Sequence, residues 1–512
     1  MRRLAPIFVL LAILLFAGTA QADPFSVINT HDSGDGSLRA AIEGSNNLSG
    51  PDAITISTTG VIELSTALPT ITEDVSISGP GAGILTIRPE PGAATGFRIF
   101  NFGNGVEGSM RRVTVSGGVA EEGGGISNGN GTLTLEGVVI AGNEAFNEGS
   151  IEAMARGGGV FSAGRLILRE AVVRDNRASA ESHDSGAYAA GGGIYSAGVL
   201  TMEATTVNGN VVSAVASGAS GATAEGGGLR VITGQSEIKR STISGNSATA
   251  DGGTAQAARG GGIKGTLLGV SGSTIVRNAV GSPEIAAGAN LESGGMMGFS
   301  NSIVAEPLGG GDNCSGIIAS GGFNLDEDGS CEFEVEGDLA GVAAGLDPVL
   351  RMNGGPTPTH ALLPGSAAID RGKSFGMAVD QRGLPRPSDF AEISNSEGGD
   401  GSDIGAFELQ APSAEPARVS VVAADTTAPN TRIVRGPARL GFKRLAKFRF
   451  ASTEPQSSFQ CKLDKKKWRA CANPFKRSVK PGRHLFKVRA IDRFGNVDKT
   501  PARFGWRVKP LS

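Results

Sequence analysis

The sequence predicts an all-β protein, a parallel β-helix solenoid followed by a small β-sandwich. Three observations predict it. Between Gly123 and Asn278 the chain repeats five times a step of three glycines and an apolar residue, with triplets starting at Gly123, Gly157, Gly191, Gly226 and Gly260. Each is followed, 15 to 17 residues beyond its apolar residue, by an asparagine: Asn143, Asn176, Asn210, Asn246 and Asn278. Counted back from these asparagines, the third residue is Ile140, Val173, Val207, Ile243 or Ile275, and the eighth is Leu135, Leu168, Met202, Ile238 or Val270. A unit this short cannot bury its apolar face alone, so these rows are covered only when successive units stack. The composition agrees, because 79 glycines, 5% aromatic and 19% charged residues in 512 suit a long, narrow core rather than one compact domain.

The elements follow in order. Residues 1–22 read as a signal peptide: Arg2 and Arg3, the apolar run Leu4 to Ala17, and Ala20-Gln21-Ala22 supply a basic region, a hydrophobic region and a small-residue cleavage site. An exported chain starting at Asp23 is therefore expected, with no transmembrane segment after signal removal, since no later apolar run approaches spanning length. Residues 23–52 read as an N-terminal cap, with a short helix in Ser37-Leu38-Arg39-Ala40-Ala41-Ile42 that shields the edge of the first coil. Coils occupy residues 53–308. Within each period the strands lie between triplet and asparagine, and Glu144 to Arg156, Arg177 to Ala190, Val211 to Glu225 and Ser247 to Arg259 read as loops outside the core. Stacking at about 4.8 Å per coil brings the asparagines into register as an amide ladder, and asparagine also suits a left-handed turn backbone. From 309 to 410 the period is lost and Gly, Pro and Asp dominate, which predicts a cap closing the far end.

Two stretches of this unit match a known pattern. Val27-Ile28-Asn29-Thr30 with Asp32-Ser33-Gly34-Asp35-Gly36-Ser37-Leu38-Arg39 resembles the opening segment of bacterial surface β-helix proteins of the choice-of-anchor Q family. Asn353-Gly354-Gly355-Pro356-Thr357, Gly365-Ser366-Ala367-Ala368-Ile369-Asp370, Asp380-Gln381-Arg382-Gly383 and Asp403-Ile404-Gly405-Ala406-Phe407-Glu408 resemble its closing segment. The Gly-Gly-Gly-Ile and Gly-Asn steps are similar to the repeats of polymorphic outer-membrane proteins. The resemblance implies a right-handed helix outside the cell and brings no catalytic residues with it.

Residues 411–427, rich in Pro, Ala and Ser, read as a linker to a module at 428–512. From 418 onward there are 24 Lys and Arg against 5 Asp and Glu, a net of +19, whereas the rest of the chain nets −22. Alternating Phe448 and Phe450, Phe459 to Leu463, Phe486 to Ala490 and Phe504 to Val508 predict inward strand faces. Phe459-Gln460-Cys461-Lys462-Leu463-Asp464 and Arg489-Ala490-Ile491-Asp492 look like an immunoglobulin-like module of secreted actinobacterial proteins. Export and close pairing predict two disulfides, Cys314 with Cys331 and Cys461 with Cys471. Lys465, Lys466, Lys467 and Arg469 surround Trp468, with Lys476, Arg477, Lys480 and Arg483 close behind; this charge exceeds what solubility needs and predicts a polyanion partner such as an envelope polysaccharide.

Signals for catalysis are sparse. The four histidines, His31, His183, His360 and His484, stand outside any paired-carboxylate setting, so an enzyme is not expected. Asp326 and Asp328 resemble half of a calcium loop whose twelfth position is Val335, and Asp403 ends a single Gly-Asp-rich nonapeptide, so calcium is a minor candidate and no other cofactor is expected. The expectation is a secreted, cell-surface, monomeric adhesion or glycan-binding protein with no specific nucleic-acid partner. A polysaccharide lyase or hydrolase on the same scaffold, and a structural spacer, are the alternatives.

Overall fold

The structure is a computed structural model that describes residues 24–92, 96–149, 152–217, 220–410, 427–455, 457–492 and 495–510. The signal-peptide region and residues 411–426 of the linker lie outside the described residues. The chain divides into two compact units at Pro412.

The first unit is a parallel β-helix. The apolar residue after each triplet stacks in register as Ile126, Val160, Ile194, Leu229 and Ile263. Leu135, Leu168, Met202, Ile238 and Val270 form a second row. Ile140, Val173, Val207, Ile243 and Ile275 form a third. The first two rows belong to a 17-stranded sheet and the third to an 11-stranded sheet facing it, and all fifteen side chains are at most 2% exposed. Two residues before the second row, Leu133, Leu166, Leu200 and Leu268 form a further buried row whose one polar member is Ser236, and its hydroxyl accepts the Leu200 N–H at 3.0 Å. At the N-terminus, Leu38–Asn46 is helical, capped by Ser37, and its Leu38 and Ile42 join the core beside Val27 and Ile54.

The segments expected to be loops are ordered. Glu144–Gly149, Arg177–Ser182, Val211–Ala216 and Ser247–Asp251 belong to a six-stranded parallel sheet, and Ala153–Arg156, Ala187–Ala190, Ala222–Glu225 and Gln256–Arg259 to a five-stranded one. Between them lies a second core made almost wholly of alanine, including Ala145, Ala155, Ala178, Ala180, Ala214, Ala224 and Ala250. Each coil thus sends one strand out and one back, and the excursions stack into a double-walled fin. The glycine triplet is the neck of that fin. Gly191 sits at φ 64°, and a side-chain carbon on Gly192 would lie 2.6 Å from the Val211 carbonyl oxygen, where the outgoing strand starts. A side-chain carbon on Gly193 would lie 3.0 Å from the Asn210 amide carbon.

The asparagines form a directional ladder. Each Nδ2 donates to the Oδ1 of the asparagine one coil on, at 2.9 Å from Asn143 to Asn176 and from Asn176 to Asn210, then 2.8 Å to Asn246 and again to Asn278. The chain of amides continues through Asn290 and Asn313 and ends on the Asp326 carboxylate, 3.0 Å away. These asparagines do not occupy the left-handed backbone expected of them. The residue before each one does: Gly142, Asp175, Gly209, Gly245 and Arg277 have φ between 56° and 66°. Asparagine is placed here by its paired donor and acceptor, not by its backbone tolerance.

The closing segment differs from a simple end cap. Coil strands continue past residue 308, through Cys314–Ser315 and Ile318–Ser320 to Leu339–Ala340. The last members of the solenoid core are Phe333 and the Cys314–Cys331 disulfide. The chain then lies as a strap along the outer face of the 11-stranded sheet. Gln381 accepts from Thr242 at 2.6 Å and donates to Thr206 and Thr357 at 2.9 Å. His360 Nε2 accepts from the Ser244 hydroxyl at 2.8 Å, while Thr274 receives the Ala406 N–H at 3.0 Å. Three successive coils are laced together by these bonds. Within the strap, Arg386 and Glu408 form a fully buried ion pair, and Asp403 accepts the N–H groups of Asp370 and Leu409.

The second unit is a sandwich of a three-stranded and a five-stranded sheet, antiparallel except for one parallel pair, Leu440–Gly441 with Ala502–Val508. Phe448, Phe450, Cys461, Leu463, Phe486, Val488, Trp506 and Val508 fill its core, and Cys461 is bonded to Cys471.

Candidate polyanion-binding surface

Strand alternation fixes where the module's cations go. With Phe486 and Val488 inward, Arg483, Lys487 and Arg489 must face outward on Gly482–Ile491; with Phe504, Trp506 and Val508 inward, so must Arg503 and Arg507. Antiparallel register then sets them opposite one another. Lys462 faces Lys487, which faces Arg503, and Arg483 faces Arg507. On the other sheet Lys447 faces Lys476 and Arg435 faces Arg449. Like charges directly opposite on neighbouring strands repel, at roughly 0.2–1 kcal/mol per pair. Among the described residues none of these cations makes an ion pair. The acidic residues nearby are committed elsewhere: Asp464 to His484 at 2.9 Å and to the Leu485 N–H, Asp498 to the Thr431 and Thr500 N–H groups.

The nine residues singled out in the sequence fall into separate places. Lys465, Lys466, Lys467, Arg469 and Arg477 line one open cavity of about 560 Å³, floored by Leu463, Phe475 and the Cys461–Cys471 bridge. Trp468 is not in it. The Arg489 guanidinium lies 4.6 Å from its ring, so this aromatic belongs with the five-stranded face. Lys476 and Arg483 take part in the opposed cationic pairs described above. The Lys480 carbonyl accepts a bond from His484 Nε2 at 2.7 Å. Both His484 ring nitrogens have oxygen partners. Burial alone would lower its pKa, but the bonds to Asp464 and Lys480 outweigh it and hold the ring above its ordinary value.

The metal candidates are occupied by internal bonds. Asp326 terminates the amide ladder and accepts the Cys331 N–H at 2.7 Å; burial pushes its carboxyl up to about 6. Asp328 accepts from the Asn313 and Ser330 N–H groups, and Asp403 is buried within the strap. Among the described residues no group of three or more His, Cys, Asp and Glu side chains is placed to hold a metal ion.

A column of ionisable residues that the sequence reading missed lies in the angle between fin and coil. Glu122 pairs with Arg156, Glu225 with Arg230 at 2.8 Å and with the Tyr188 hydroxyl at 3.0 Å, and Lys264 with Glu292. Burial lowers Lys264 to about 8 and raises Tyr188 well above the usual tyrosine range. Every carboxylate here is closed by a cation, which makes the column a polar seam joining fin to coil. Part of the signal was available: Glu122, Arg156 and Glu225 directly precede a triplet, and Arg230 and Lys264 stand two places after the end of one.

No family model, curated protein or solved structure matches this chain.

Proposed function

We propose that this is an extracellular, non-enzymatic β-helix protein whose basic module attaches it to a polyanion, an acidic envelope polysaccharide or phosphate-bearing glycopolymer. One observation carries the reading: rows of cations are held face to face across strands with no carboxylate between them. A fold that keeps such repulsion loses stability unless a ligand neutralises it, and a chain of regularly spaced anionic groups does so across several strands at once. The turn cavity adds five more cations at the edge of the same module. The disulfides fit an oxidising compartment, and no helix among the described residues is long and apolar enough to cross a membrane.

The test uses the mature full-length chain on dextran sulfate and on uncharged dextran. Retention on the sulfated matrix alone is expected, with elution by salt, and a Lys462→Glu/Lys487→Glu variant should elute at markedly lower salt. Equal behaviour of variant and parent would remove the sheet face from the binding surface.

A further inference from the structure

The module has a second surface of different chemistry. Between the segment Arg435 to Arg449 and the strand Ala502–Val508 runs a groove of about 700 Å³, lined by Gly436, Pro437, Phe442, Leu445, Trp506 and Val508 with cations at its margin. Two of its large apolar lining residues are left in solvent, Phe442 at 55% exposed and Leu445 at 60%, and Val434 (58%) and Leu440 (55%), each next in the chain to a lining residue, are exposed as well. Interleaved with them in the chain are Arg435, Lys443, Lys447 and Arg449, none ion-paired among the described residues. Lys509 lies 5.7 Å from the Phe442 ring. Repulsion between cations explains solubility but gives no reason for so many exposed large apolar residues in one short segment, and a soluble sugar polymer offers them nothing to bury against.

We propose that this groove is a contact site for a bilayer surface of anionic lipid, with phosphate headgroups at the arginines and lysines and with Phe442, Leu445 and Leu440 entering the acyl boundary. Apolar side chains flanked by unpaired cations are what an interfacial protein needs: charge draws it to the surface, and insertion holds it there when salt screens the charge. The groove shares Arg435, Lys447 and Arg449 with the cation rows of the polyanion face and adds to them an exposed apolar margin. The two sites lie on one module and differ in one respect that can be measured, the share of binding that survives high salt.

The mature full-length protein is mixed with vesicles of equal parts phosphatidylglycerol and phosphatidylcholine, with vesicles of phosphatidylcholine alone, and with soluble dextran sulfate. Binding to the acidic vesicles, partly retained at about 0.5 M salt where charge interactions are screened within about 4 Å, is expected. Phe442→Ser/Leu445→Ser should weaken vesicle binding at least about tenfold, because two large apolar side chains no longer insert, and should leave dextran sulfate binding unchanged. Phe442→Trp should keep the fold and give a blue-shifted fluorescence on acidic vesicles only. No binding of the parent to acidic vesicles, undiminished binding by the double variant, an equal loss toward dextran sulfate, or an unshifted spectrum of the Phe442→Trp variant would each overturn the lipid site. The dextran sulfate arm tests the polyanion face independently.

Discussion

At the residue scale the fold turns on donors and acceptors that run one way. Each amide in the ladder gives its N–H to the next coil, so the series must finish on a group that only accepts, and Asp326 is that group. Asn210 shows what one rung holds. Its Oδ1 accepts the Asn176 amide and backbone N–H groups, and its Nδ2 bonds Asn246 and the Val173 carbonyl, all buried. Asn210→Ala strands several of these partners and is expected to cost about 3 kcal/mol in chemical denaturation; a loss below about 1 kcal/mol would mean that water replaces the rung. Val207→Asp, which puts an unpaired carboxylate in the sealed core row, should be worse still. The five asparagines were legible because their spacing is regular. Asn290, Asn313 and Asp326 were not, because they leave the repeat position: with Ile263 paired to Leu291 and Leu291 to Cys314, Asn290 stacks on the third glycine of the preceding triplet and Asn313 on Asn290, while Asp326 stacks on Val304.

At the scale of elements, the fin is the part that the sequence concealed. Ala178, Ala180 and Ser182 alternate with period two like any strand. Alanine, however, is depleted in strands and common in low-complexity loops, so its alternation carries little signal unless the register of neighbouring coils is known. The same smallness makes the fin vulnerable. Ala214→Leu should overpack the alanine layer at a cost of about 1–3 kcal/mol. Hydrogen exchange should then quicken in Val211–Ala216 and Ala222–Glu225 while Thr206–Asn208 stays protected; opening of all three together would show that fin and coil form one cooperative unit.

The strap is expected to respond to pH. Burial, and then the neighbouring Glu408 charge, push Asp403 up to about 8, against about 3.9 for an exposed aspartate. Between those values the folded chain holds a proton that the unfolded chain has released. The stabilisation is therefore complete below about pH 4 and is lost as pH rises through about 8. Exchange across residues 400–409 should be faster at pH 9 than at pH 5 once corrected for intrinsic rates, and Asp403→Asn should remove the difference. Equal protection at both pH values would show that the two backbone N–H bonds keep Asp403 ionised throughout.

At the scale of the whole molecule, an overall charge of −3 conceals a strongly acidic solenoid and a basic module. The sequence revealed that imbalance and the cluster around Trp468. It could not reveal that Lys462, Lys487 and Arg503 stand in one row, because their opposition depends on pairing between strands far apart in the chain. Because these rows repel, the module should be stabilised by screening, with a higher thermal midpoint at about 0.5 M than at about 0.05 M sodium chloride. A midpoint that falls with salt would mean that attractive pairs dominate. Binding of a polyanion by these rows is read from the salt dependence of dextran sulfate affinity in the full-length chain. The logarithm of affinity should fall linearly with the logarithm of salt concentration, with a slope that reports the cations engaged, and Lys487→Gln/Arg503→Gln should reduce that slope by about 2. A salt-independent affinity, or a slope unchanged in the double variant, would contradict it.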